Sequence, residues 1–228
     1  MAQEKIKLIK YLFDPKCTDI KSKIAALRFY KDYFSEEGPI PSNIYAIYDT
    51  LGFIPEQENR YELFVNKLMS NFNIKCNILE IGGGNLPRIG ERIAQKQIEL
   101  GSGTITVYDP SLAVKKAKYS NLILCKEEFT MATDISGYDL LIGAFPCDAT
   151  ELMVHRALTE NKDFFIQLCN CVIPFEDMSE EEYIYCQNHP DVYQQMLIDA
   201  YINYAKQFKR KVRVCYDLLT PTLSCRHK

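Results

Sequence analysis

Residues 77–90 read N-I-L-E-I-G-G-G-N-L-P-R-I-G, an apolar run, three glycines and a helix-like pattern. Glycine permits positive φ and close backbone approach, and a following helix end offers unpaired N–H groups, so this is the grammar of a ligand loop. A loop cradling the phosphates of ATP or GTP requires G-x-x-x-x-G-K-[ST]. Here Gly84 leads to Asn85-Leu86-Pro87-Arg88-Ile89-Gly90-Glu91, without the Lys-Ser/Thr pair. A dinucleotide fingerprint, G-x-G-x-x-G, is matched by Gly82 and Gly84 but has Pro87 at its third glycine. Proline also lacks the N–H that a pyrophosphate would use. Two carboxylates accompany the loop: Glu80 just before it and Asp109 at the end of T-I-T-V-Y-D-P.

A ligand without phosphate makes smaller demands on the helix end, and S-adenosylmethionine (SAM) is such a ligand. Leu79-Glu80-Ile81-Gly82-Gly83-Gly84-Asn85 resembles the first motif of the class I SAM-dependent methyltransferases, an acid followed by hydrophobic-G-x-G-x. Thr106-Val107-Tyr108-Asp109-Pro110 resembles their second, and the likeness spans roughly Cys76 to Leu168. The resemblance implies that Gly82, Gly83 and Gly84, with Asn85 and Leu86, pack on the methionine part of SAM. It implies Glu80 as the residue orienting the loop or reaching the cofactor amine, and Asp109 as acceptor from the ribose hydroxyls. Lys126-Glu127-Glu128-Phe129 stands where that family places an acid and an apolar contact for adenine, with Glu127 and Glu128 both candidates.

Ligands of open α/β sheets bind beyond the carboxyl ends of the strands. The fourth strand, whose last residue Ala144 is a candidate cofactor contact, therefore delivers Phe145, Pro146, Cys147 and Asp148 to the acceptor side. Asp139–Cys147, D-L-L-I-G-A-F-P-C, resembles the Pro-Cys motif of DNA cytosine-C5 methyltransferases, which implies Cys147 as a nucleophile. Gln167 occupies the position where that family carries an acid on the next strand. The [DN]-P-P-[YFW] motif of amino-group methyltransferases is absent as well. Asp148 or a tyrosine from the N-terminal helices could act as base, and the catalytic group is otherwise unassigned. Cys169, Cys171, Cys186 and His189 form C-x-C…C-x-x-H, but a two-residue spacing at a strand end is easily accidental, and no metal is expected.

These residues need elements to position them. Short apolar runs at Cys76–Ile81, Thr104–Tyr108, Leu122–Cys125, Asp139–Phe145 and Asp163–Leu168 read as strands. Helix-compatible segments lie between most of them, at Leu86–Leu100, Ser111–Lys118 and Ala149–Thr159. That alternation predicts right-handed βαβ units: an α/β, Rossmann-like, mostly parallel sheet with helices on both faces. Ser179 and Glu182 have capping-box spacing. A helix starting near Pro190 would share Tyr193, Met196, Leu197, Ala200, Tyr201, Tyr204 and Phe208 on one face, and Lys211–Leu218 and Leu223–Arg226 read as late strands. Residues 1–74 carry helical periodicity throughout, broken at Asp14-Pro15, Gly38-Pro39 and Gly52. The expected organisation is a helical cap over 1–74 and a SAM-binding domain over 75–228 with a helical insertion at about 175–208.

The chain of 228 residues is 47% hydrophobic and 25% charged, with a net charge of −3. Those are values of a globular protein, without a general drive toward nucleic acid or membrane. Six carboxylates crowd Phe175–Asp191, and seven basic residues crowd Lys206–Lys228 against one Asp. Nine scattered cysteines read as reduced thiols, and no signal-peptide pattern opens the sequence, so a cytoplasmic location is expected. The expected activity is methyl transfer from SAM, to a small-molecule acceptor rather than nucleic acid. Aminocarboxypropyl transfer of the nicotianamine synthase type and a non-catalytic SAM-fold sensor or scaffold are the alternatives. The oligomeric state is not legible.

Overall fold

The computed structural model describes residues 55–169, 171–174, 178–216, 218 and 220–227, with backbone alone at 55–59 and 190. The helices expected before residue 55 lie outside the described residues. Twelve elements follow within them. They are α1 (Pro55–Asn71), β1 (Asn77–Ile81), α2 (Arg88–Glu99), β2 (Thr104–Tyr108), β3 (Leu122–Cys125) and β4 (Leu140–Ala144). Then come α3 (Ala149–Thr159), β5 (Asp163–Gln167), α4 (Glu180–Asn188), α5 (Pro190–Gln207), β6 (Val212–Cys215) and β7 (Thr222–Cys225).

The strands form one seven-stranded sheet in the order β3-β2-β1-β4-β5-β7-β6. β1 to β5 are mutually parallel, and β7 runs antiparallel between β5 and β6. Central strands are near-continuous apolar runs because both of their faces are covered: β1, β4 and β5 each bury four consecutive residues. On one face Phe64 and Leu68 of α1 and Ile89, Ile93 and Ala94 of α2 pack with Ile78, Ile142 and Phe165. The Phe64 and Phe165 rings meet at 5.0 Å between centroids. On the other face α3 and α5 pack with Leu79, Ile81, Leu141 and Ile166. Among the described residues no helix is long and apolar enough to cross a membrane.

Three expectations are corrected. Ser111–Lys118 is not helical. Its first amides turn back instead, Ser111 N–H to Asp109 Oδ1 and Ala113 N–H to the Asn85 carbonyl, which holds the segment against the glycine loop. In α5, Met196 and Ala200 are exposed while Gln194 and Ile198 are buried, so its inward face is rotated from the one the apolar spacing suggests. The first late strand is shorter than expected, at Val212–Cys215, and the second lies one residue earlier, at Thr222–Cys225. The capping box forms as read: Ser179 Oγ accepts from Glu182 N–H, and Glu182 Oε2 accepts from Ser179 N–H.

Candidate functional site

The glycine loop leaves β1 at Gly82, whose N–H donates to the Tyr108 carbonyl. Gly82 and Gly84 adopt φ of 76° and 71°, a left-handed conformation that strains other residues. Gly83 is needed for another reason: a Cβ there would lie 2.3 Å from Val107 Cγ1. Pro87 stands immediately before α2, where its missing N–H does no harm. Close packing of that helix falls to Gly90, where a Cβ would meet Val107 Cγ2 at 2.6 Å and Glu80 Oε2 at 2.7 Å. Gly90 therefore performs the packing that a dinucleotide fingerprint assigns to its third glycine.

Glu80 lies beneath this floor. Side chains alternate across a strand, so Glu80 shares the α2 face with Ile78. It is 2% exposed, and its Oε2 has no hydrogen-bond partner. Burial pushes its carboxyl up to about 8, and the negative charge of Asp109 adds to the rise. The Gly90 amide opposes the shift without satisfying Oε2. Asp109, also buried, accepts from Gly84 N–H at Oδ2 and from Ser111 N–H at Oδ1, each at 2.7 Å. The carboxylate thus ties the glycine loop to the turn after β2. Beyond β3, Glu127 and Glu128 are exposed, whereas Phe129 is buried in the core with the Arg156 guanidinium 5.9 Å over its ring.

The loop after β4 is tightly held. Pro146 fills the space that a side chain on Gly82 or Gly143 would take, its Cα 3.1 Å from a Gly82 Cβ and its Cγ 3.0 Å from a Gly143 Cβ. Phe145 and Cys147 flank it at φ of 58° and 46°, each straining the backbone by about 1–2 kcal/mol. Phe145 N–H donates to the Gln167 carbonyl, and the Arg60 guanidinium sits 5.0 Å from the Phe145 ring centre. Asp148 is exposed at the start of α3 and makes no capping hydrogen bond. Gln167 is buried, with its side-chain oxygen unpaired.

No family model and no curated protein sequence matches the chain. Solved structures do. The plantazolicin methyltransferase BpumL, in complex with a monoazolic desmethylPZN analog and S-adenosylhomocysteine (SAH), is 16% identical. That match covers 92% of this chain and 99% of that one at a TM-score of 0.52. CalO1, a methyltransferase of calicheamicin biosynthesis in its SAH-bound form, is 10% identical over 98% and 67% of the two chains at 0.48. SAH-bound PaMTH1 of Podospora anserina is 12% identical over 92% and 97% at 0.45. The first of these, with the strand order, decides the architecture. The fold is that of the class I SAM-dependent methyltransferases.

In this methyltransferase fold, β1 and β2 bring Gly82–Gly84, Asn85 and Asp109 together at their carboxyl ends above the buried Glu80, with Ala144 and Phe145 beside them at the end of β4. Glu80, Ala144 and Gln167 lie on the same face of the sheet by the strand register. The chemistry present here is a buried carboxylate with an unpaired oxygen, backbone at Gly82 and Gly83 too close to Pro146 and Val107 for a Cβ, and a second carboxylate bonded to the Gly84 amide, a set compatible with a cofactor that carries an ammonium group and a diol. The sequence reading missed the contribution of Gly90, although a glycine inside an otherwise regular helix pattern signals close approach. It also grouped the cysteines differently. Cys186 is buried in the core, and the His189 ring stacks on Tyr185, whereas Cys169 and Cys171 meet Cys147 from the preceding strand end. Their Sγ atoms all lie within 4.8 Å of one another. Hydrogen bonding with Cys147 lowers the Cys169 thiol, and the same interaction raises that of Cys147.

Proposed function

We propose that this chain binds SAM in the crevice over β1 and β2 and transfers its methyl group to a small-molecule or peptide-like acceptor. The observation that carries the reading is Glu80: an ionisable side chain 2% exposed, with an unpaired oxygen, beside Gly83 and Gly90, where a Cβ would collide with Val107. An ammonium group close to it would compensate the buried charge. Gly82–Gly84, Asn85 and Leu86 would hold the aminoacyl part. Asp109 would accept from the ribose diol with the lone pairs left after its two backbone bonds. Glu127 or Glu128, both exposed after β3, would face the adenine amine.

When bound, SAM supplies an electrophilic methyl carbon on a sulfonium. The chain's own task is positioning: Ala144, Phe145 and Pro146, fixed by the Gln167 carbonyl and the two glycine contacts, would set the acceptor in line with that methyl. Asp148 would take the proton of a protonated nucleophile. An acceptor other than nucleic acid agrees with the monoazolic desmethylPZN analog bound by BpumL and with the net charge of −3.

Calorimetry tests the cofactor half. Micromolar SAM binding is expected, with Asp109→Ala weakening it at least tenfold, about 1.4 kcal/mol. Absence of SAM binding to the folded protein refutes the reading. Incubation with acceptor pools then distinguishes the reaction: SAH as product identifies methyl transfer, and methylthioadenosine identifies aminocarboxypropyl transfer.

A further inference from the structure

We propose that Cys147, Cys169 and Cys171 form a binding site for a thiophilic divalent cation of the zinc type. The three thiols come from two strand ends that are neighbours in the sheet, β4 and β5, and their sulfurs lie within 4.8 Å of one another, with Cys147 Sγ and Cys171 Sγ 4.0 Å apart. Zn–S bonds of about 2.3 Å in tetrahedral geometry place sulfurs about 3.8 Å apart. The described arrangement reaches that spacing with movements of about an ångström or less.

The backbone around the cluster is held as a site requires. Cys147 adopts its strained φ of 46° between Pro146, wedged against Gly82 and Gly143, and Thr150, whose N–H donates to the Cys147 carbonyl. The Cys169 carbonyl accepts from the buried Gln194 side chain of α5 at 3.1 Å. Strain at a non-glycine residue persists where the surroundings over-determine it, and it concentrates at functional positions. The cluster also has space in front of it. All three cysteines line a cavity of about 320 Å³, together with Asp148, Glu151 and Tyr193.

Three sulfur ligands and a cavity on the fourth side match the pattern of a zinc ion with an open coordination position, which water, a nearby carboxylate or a ligand's donor atom can fill. Soft thiolates select zinc or copper(I) over magnesium and calcium. Each Zn–S bond forms as the corresponding thiol releases its proton to solvent, so binding is accompanied by acidification and needs no oxidant. The proposal does not depend on the SAM reading, because it concerns the β4–β5 ends and uses neither Glu80 nor Asp109.

The experiment uses the whole chain, purified with reductant, stripped by chelator and reloaded with Zn²⁺ or Co²⁺. One equivalent of zinc is expected to survive desalting, and cobalt is expected to give a thiolate-to-metal charge-transfer band in the near ultraviolet. Zinc should protect Cys147, Cys169 and Cys171 together from alkylation, read by peptide mass spectrometry. Cys147→Ser, Cys169→Ser and Cys171→Ser should each weaken zinc binding at least 100-fold, while Cys76→Ser leaves it unchanged. Should a serine variant fail to fold, the cobalt band and the protection pattern of the unaltered chain decide. Retention of less than a tenth of an equivalent by fully reduced protein overturns the proposal. So does serine-variant binding as tight as that of the unaltered chain, or a Cys147–Cys171 disulfide in protein that takes up no zinc once reduced.

Discussion

At the scale of single residues, Glu80 carries the proposal that the glycine loop is more than a tight turn. Its carboxyl is pushed up to about 8 chiefly by burial, from an ordinary value of 4.5. A folded-state value above the unfolded one means that folding favours the protonated form. The associated stability is fully present below pH 4.5 and is lost as pH rises through about 8. Above that range the ionised carboxylate is buried with an oxygen unpaired, at a cost to the fold. Glu80→Gln should therefore melt at a higher temperature than the unaltered protein at pH 8.5, and the gap should close toward pH 5. Equal melting temperatures for the two proteins across that range would show that the carboxyl is not shifted. The position of Glu80 before the glycines is legible in L-E-I-G-G-G; its isolation is not, because the groups surrounding it come from β2 and α2.

At the scale of elements, the closeness of α2 to β1 and β2 is what shapes the crevice. Gly90 permits it, since a methyl group there would sit 2.6 Å from Val107 Cγ2 and 2.7 Å from Glu80 Oε2. Alanine is a better helix former than glycine by about 1 kcal/mol, yet Val107 is wholly buried on its strand and has little room to yield. Overpacking then outweighs propensity. Gly90→Ala should lower stability by about 1–3 kcal/mol in urea unfolding, and Val107→Ala in the same chain should recover part of the loss. A neutral or stabilising Gly90→Ala would show that the helix can shift. The segment after β2 teaches a related lesson. Ser111–Lys118 has helix-compatible residues, but the Asn85 carbonyl of the glycine loop takes the Ala113 amide, and this tertiary pairing prevails over a weak local preference.

At the scale of the whole molecule, the order β3-β2-β1-β4-β5-β7-β6 sets the carboxyl ends of five parallel strands side by side. The proposed cofactor crevice and the thiol cluster thus occupy neighbouring positions along one edge. Binding to the folded state alone stabilises the entire fold. SAH at 100 times its dissociation constant should stabilise the protein by about 2.7 kcal/mol, seen as a rise in melting temperature that Asp109→Ala reduces. No shift at saturating SAH would count against the crevice as a cofactor site.

Sequence alone determined the βαβ alternation, the glycine loop, the two carboxylates and the capping box, because each depends on local spacing: strand and helix periods, glycine's freedom at positive φ, or a side chain bonding an amide three residues away. Tertiary structure alone decided which cysteines meet. Cys169 and Cys171 lie near Cys186 and His189 in the chain, yet their companion is Cys147, 22 and 24 positions earlier. The parallel pairing of β4 with β5 brings those strand ends together. It also decided that β7 enters the sheet between β5 and β6, antiparallel to both. Strand order and the meeting of distant thiols are set by how both faces of the sheet are buried, a property of the assembled chain that no local spacing encodes.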